Sequence, residues 1–321
     1  MLFPRSIESL LSSGANRSAS SAPSPETLKQ LERAMNRRRF LTGIGAAGAV
    51  AGGTLISGCG GSNKASAQNA VMGDTAAQVF TAALIAEDLA TTMYYNALVG
   101  GVIQDPNLAG NGGSAVNVTA SGSVANVGYL RGALAEEISH ANLLRSVLNL
   151  GQATSDPYQT FHFPTGTFDN LTNFFPVLLA LETAFIAAYM TAVEEFALMI
   201  AGTSPYSQTQ SNPAGGTFAV ADLVSFAKIC AAILGVEAEH RTLARAIPPP
   251  PMFAGTNILP SDDVCYESTD TLQTVFNGMT SAAAALGPFL SASPGTSVYQ
   301  LQTALNGAAA VQLACTGMPP M

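Results

Sequence analysis

Residues 130–144 read Leu-Arg-Gly-Ala-Leu-Ala-Glu-Glu-Ile-Ser-His-Ala-Asn-Leu-Leu, and residues 233–244 read Ile-Leu-Gly-Val-Glu-Ala-Glu-His-Arg-Thr-Leu-Ala. Each stretch carries a Glu-x-x-His motif, Glu137 with His140 and Glu237 with His240. On a helix, residues three apart lie on one face, so each Glu and its His point the same way. Ala133 and Leu134 precede Glu137, and Ile233 and Leu234 precede Glu237, so both motifs fall within the apolar stripe. Two more carboxylates interrupt apolar runs. Glu87 follows Ala83 and Leu84 and precedes Tyr94; Glu182 follows Leu178 and Leu179 and precedes Phe185, Ile186 and Tyr189.

Four long apolar-periodic segments contain these residues: A from about 75 to 99, B from 124 to 150, C from 171 to 201, and D from 218 to 247. Ala, Leu, Glu and Met dominate them, and helix propensity agrees with the period. Gly151 is placed to end segment B, and Pro248 through Pro251 stop segment D. At 1.5 Å per residue each helix spans about 40 Å, the length of a four-helix bundle rod. The B–C connection, with Pro157 and Pro164, is long enough to run the length of such a bundle. The chain therefore repeats. A helix with a single Glu precedes a Glu-x-x-His helix, twice, with spacings of 50 residues (Glu87 to Glu137) and 55 (Glu182 to Glu237).

Packed together, the four segments bring four carboxylates and two imidazoles to one level of a core. Buried carboxylates without counter-charge are prohibitively costly. Two divalent cations cancel four Glu charges while neutral imidazoles donate nitrogen, which predicts a dinuclear site with two bridging and two terminal carboxylates. Oxygen and nitrogen donors without thiolate suit iron or manganese better than copper, and zinc less well, though zinc could still occupy the site on affinity grounds. Each motif alone is weak, since a lone Glu is usually solvated. Their ordered recurrence on four successive helices, using two of the chain's three His, is the signal.

This pattern resembles the ferritin-like superfamily over residues 75–247. The resemblance implies an all-α fold, a four-helix bundle with a long B–C crossover, and a carboxylate-bridged pair of Fe or Mn ions. It implies as metal ligands Glu87, Glu137, His140, Glu182, Glu237 and His240, and as chemistry a reaction with O2 or peroxide of ferroxidase, peroxidase or catalase type. Export and the tail, including Leu286-Gly287-Pro288-Phe289, look closest to an exported, desiccation-related branch. Rubrerythrins usually carry a four-cysteine iron domain, and the chain has no CxxC pair for one. The alternative is a non-catalytic envelope protein that holds metal or protects against drying; a third reading is a scaffold whose motifs are relics.

Composition sets the remaining bounds. The 321 residues are 48% hydrophobic and 11% charged, with no Trp, 4 Cys and a formal net charge of -8. This excludes disorder as a whole and argues against nucleic acid as a partner. Arg37-Arg38-Arg39-Phe40-Leu41 and the Gly/Ala-rich run to Gly58 resemble a twin-arginine (Tat) signal. Ile56-Ser57-Gly58-Cys59 resembles a lipobox, which predicts lipidation at Cys59, attachment to a membrane surface and a periplasmic or envelope location. Met35 is read as the true start. Removing residues 1–58 takes away 7 of 13 Lys/Arg and 3 of 21 Asp/Glu, leaving 6 basic and 18 acidic residues.

The expected organisation is then residues 1–58 as extension and signal, 59–73 as a flexible tether, 74–247 as the bundle, and 248–321 as a C-terminal extension. That extension is expected to hold helices at about 269–286 and 297–312. Cys265 and Cys315 are expected to bridge it, Cys230 to be a core residue, and a homodimer stays open. Tyr94 and Tyr189, each seven residues past a single Glu, hydrogen-bond a ligand carboxylate, intercept oxidising equivalents, or pack the core. Of the flanking acids Asp88, Glu136, Glu194, Glu195 and Glu239, most are expected in solvent, with one or two holding a histidine N–H. Arg241 and Arg245 are expected to pair with such acids, and His162 to be structural.

Overall fold

The computed structural model describes residues 73–105, 108, 125–247, 276 and 278–312. Helix α1 spans Ala76–Val99, α2 Ala125–Val147, α3 Leu171–Ala201 and α4 Val220–Ala246. These are the four predicted segments. Thr75 opens α1 with a reciprocal capping box: its hydroxyl accepts from the Gln78 N–H, and the Gln78 side chain accepts from the Thr75 N–H. Asn170 caps α3 one way only, its side chain accepting from the Asn173 N–H, and Gly202, at φ 62°, ends the helix in the left-handed conformation. Helix α2 stops at Val147, short of the predicted Leu150, because Asn149 already turns left-handed at φ 56°. Helix α3 is long and apolar enough to cross a membrane, yet most of it is buried within the bundle.

The crossover is not plain loop. It contains strand β1 (Thr160–Pro164). Residues Gln210–Ser211 and Thr217–Phe218 form a short antiparallel hairpin, β2–β3, between α3 and α4. Strand β4 (Thr296–Gln300) pairs antiparallel with β1, Phe161 opposite Tyr299 and Phe163 opposite Ser297. This corrects the reading of residues 297–312 as one helix. Thr, Ser, Val and Tyr favour the extended chain up to Gln300, and helix α7 (Leu301–Val311) starts only after it. The other tail helix is described as α5 (Met279–Ala285), followed by the short α6 (Gly287–Leu290). The predicted Cys265–Cys315 bridge, predicted lipidation at Cys59 and predicted signal all lie outside the described residues.

The tail packs onto the bundle. Helix α5 lies on α1 and α3, and α7 lies on α1, where Tyr95 sits against Gly307 with no room for a Cβ. Arg131 of α2 donates to the carbonyls of Val311 and Gln312 at the end of α7, a cation placed where a helix exposes unsatisfied oxygens. Two apolar clusters fill the interior. One joins α1, α2 and α3 to the crossover and tail through Leu89, Met93, Leu134, Phe163, Phe174 and Leu301. The other, with Phe80, Leu84, Leu144, Phe196, Phe226 and the buried Cys230, joins all four long helices.

Candidate metal centre

Helical spacing determines what meets in the core. Glu87 (α1), Glu137 (α2), Glu182 (α3) and Glu237 with His240 (α4) are all buried, and His140 (α2) is nearly so. All six predicted residues come together. Their donor atoms form two groups in which every member lies within 4.8 Å of the others: Glu87, Glu137, His140 and Glu237 in one, Glu137, Glu182, Glu237 and His240 in the other. Glu137 and Glu237 belong to both.

The side chains show how the sharing works. Glu137 turns Oε2 to His140 Nδ1 at 3.9 Å and Oε1 to His240 Nδ1 at 3.0 Å. Glu237 turns Oε1 to His140 Nδ1 at 3.6 Å and Oε2 to His240 Nδ1 at 3.7 Å. Each shared carboxylate thus presents one oxygen to each imidazole. The single-Glu helices supply the outer carboxylates, and each is braced by a tyrosine from the other helix. Tyr94 of α1 donates to Glu182 Oε1 at 2.6 Å, and Tyr189 of α3 donates to Glu87 Oε1. The geometry gives the hydrogen-bonding reading of these tyrosines.

The cluster fits a cation. Both oxygens of Glu137 and of Glu237, Glu182 Oε2 and His240 Nδ1 are buried with no well-aligned hydrogen bond, the 3.0 Å approach of Glu137 Oε1 to His240 Nδ1 included. Such atoms are costly to leave unpaired. They are the same atoms that face the middle of the two groups, and donors sharing one ion lie about 3 Å apart when the bonds are about 2.1 Å long. Burial pushes the carboxyls of Glu137, Glu182 and Glu237 upward, reinforced by neighbouring acids. Burial alone would lower His140, but Glu87 and Glu137 beside it push it up to about 11. The protein by itself therefore meets the repulsion with protons; bound cations would meet it with opposite charge.

The surrounding residues divide. Glu136 accepts from His240 Nε2 at 2.8 Å, the role expected of one or two flanking acids. Glu194 and Glu239 are exposed, as expected. Asp88 and Glu195, expected in solvent, are buried. Asp88 receives Arg145 Nη2 at 2.5 Å, and Arg145 Nε reaches Asp156 at 2.6 Å, so one guanidinium serves two carboxylates. Burial pushes Asp88 up to about 9 against the pull of Arg145. Glu195 accepts from the Met279 N–H and the Tyr206 hydroxyl, each at 2.9 Å, and so holds α5. Arg241 donates to Thr183 at 2.9 Å, and the side chain of Arg245 is outside the described residues. His162 sits on β1 opposite Val298, apart from the cluster.

Sequence reasoning missed Tyr129, whose hydroxyl lies 2.9 Å from that of Tyr94 and 2.9 Å from the His240 carbonyl it donates to. Its signal was available, because residues 129, 133 and 137 share one helical face.

No curated protein and no solved structure matches the chain. Residues 75–199, which hold α1, α2 and nearly all of α3 but not Glu237 or His240, match the family model of a ferritin-like domain. The fold is an all-α four-helix bundle with a long crossover, similar to a ferritin-like domain over residues 75–199, and its cluster could bind metal.

Proposed function

We propose that the chain is an exported, envelope-held protein whose six-residue cluster binds two iron or manganese ions and turns over dioxygen or a peroxide. The observation that carries this reading is the set of buried donor atoms without partners, shared between two groups by Glu137 and Glu237. Two redox-active ions held together supply the two electrons that reduce O2 or cleave a peroxide O–O bond.

The protein's own residues prepare that chemistry. Tyr94 and Tyr189 each occupy one oxygen of an outer carboxylate, which leaves Glu182 Oε2 and Glu87 Oε2 to face the centre. Glu136 holds the outer nitrogen of His240, which turns Nδ1 inward as the donor. The apolar clusters shield the cage from bulk water except where His140 reaches the surface. The Tat-like signal and the lipobox at Cys59 support folding and metal loading in the cytoplasm, then transport and attachment to a membrane surface.

The test is metal analysis of protein purified from its own cell envelope, with a peroxide-consumption assay. About two Fe or Mn per chain and rapid consumption, both lost in Glu137→Ala, are the expected result. Two ions without consumption would leave a metal-holding or stress-protective protein, and a metal-free, fully folded protein would refute the reading.

A further inference from the structure

The two donor groups have the same residue types, but their surroundings differ. The His240 group is sealed. His240 has a side-chain exposure of 1%, its Nε2 is held by Glu136, and the rings of Tyr94 and Tyr129 lie 5.7 and 6.3 Å from its own. Tyr94 bonds Glu182, Tyr129 bonds the His240 backbone, and the two hydroxyls bond each other, so this half is closed by one connected network. The His140 group lacks these supports. His140 is 12% exposed and all its polar contacts run from Nδ1; among the described residues no acid holds its outer nitrogen and no aromatic ring packs on it. Glu87 is braced, by Tyr189, so the difference lies at the imidazole and its access to solvent.

Resting on the metal reading above, we infer that the two positions are unequal: the Glu182–His240 half retains its ion, while the Glu87–His140 half exchanges its ion with solvent and is where a small anion of the peroxide class binds. Two physical effects act together. An outer-nitrogen partner sets the ring and raises its basicity, and its loss typically costs about 10–100-fold in metal affinity. A ligand that reaches solvent also lets water compete for the ion, and gives an incoming anion a path that avoids the tyrosine wall. Glu136, Tyr94 and Tyr129 are positioning residues in this scheme.

The experiment is a Co2+ titration of the purified, metal-stripped full-length chain, followed by calorimetry and visible absorption, with azide as the anion probe. The expected result is two equivalents with dissociation constants at least tenfold apart. Azide should change the spectrum of the two-ion form and leave the one-ion form unchanged. His140→Ala should abolish only the weaker step. Glu136→Gln, a mild change at a residue 40% exposed, should weaken only the tighter step, and circular dichroism should show it folded. Two indistinguishable steps, azide binding to the one-ion form, or loss of the tighter step in His140→Ala would overturn the inference while leaving the dinuclear reading intact. No binding of Co2+ by the wild-type chain would overturn both.

Discussion

Helices α1 and α4 both carry carboxylates into the same cage, yet they are built differently. Over its 24 residues α1 is buried on nearly every face, down to Thr91 and Thr92. Helix α4 buries one stripe, Leu223, Phe226, Cys230, Ile233, Glu237, His240 and Ala244, and exposes Val220, Val224 and Leu243. The cause is what covers them. Helix α1 is enclosed by α2, α3, α5 and α7, whereas among the described elements α4 packs mainly on α3, with lesser contacts to α2 and β3. A ligand-bearing helix therefore needs only one apolar stripe to reach the centre. The full enclosure of α1 comes from the tail.

The largest expected effect tests the charge that this enclosure buries. Arg145→Met leaves Asp88 of α1 and Asp156 in the interior without their cation, and should cost about 3–5 kcal/mol in denaturant unfolding. An unchanged midpoint would mean that this shared guanidinium adds nothing to stability. Next, Leu84→Ala on α1 should cost about 2–5 kcal/mol, because a fully buried side chain leaves a cavity.

The helix starts sharpen the contrast. At α1 the capping box is complete, and Thr75→Ala should cost about 1 kcal/mol. At α4 only half of it exists: Asp222 reaches back to the Ala219 N–H, but Ala219 has no side-chain acceptor. Ala219 is already extended at φ -76° and ψ 161°, close to the φ -82° and ψ 159° of the Thr75 cap, so Ala219→Ser should stabilise by about 0.5–1 kcal/mol, read as a rise in melting temperature.

A pH effect probes the clasp that holds α5 on α3. Burial, only partly offset by the Met279 N–H, pushes Glu195 up to about 7 from 4.5. The folded state then holds this proton more tightly than the unfolded one, so the residue's contribution falls as pH rises from about 4.5 through about 7. Glu195→Gln should remove that slope, measured as the difference in melting temperature between variant and wild type across this window. A pH-independent difference would show that Glu195 ionises normally. The smallest effect belongs to the open face of α4. Leu243, 39% exposed, should tolerate Ala within about 0.5 kcal/mol, and a larger loss would reveal a covering partner.

Much of the bundle was legible because two periods coincide. The apolar stripe gave the four helices, and the same 3.6-residue period placed Glu87, Glu137, Glu182 and Glu237 on the inward face. The tyrosines were legible as neighbours, seven residues on, but their choice of partner was not: each braces the carboxylate of the other helix. Asp88 and Glu195 were misread because local pattern assigns an isolated acid to water. Only a distant Arg145 in one case, and the start of α5 in the other, makes burial tolerable. Strands β1 and β4 were missed because each is five residues long and pairs across more than 130 residues of chain, a contact no local window contains.

The sequence by itself determined which six side chains could meet, since residue type and helical spacing are local and four carboxylates in apolar runs demand a counter-charge. Tertiary structure alone decided that Glu137 and Glu237 are the shared pair, that His240 is sealed while His140 reaches solvent, and that the tail encloses α1. Those outcomes depend on how separate helices are rotated and covered, and packing sets that across the whole chain.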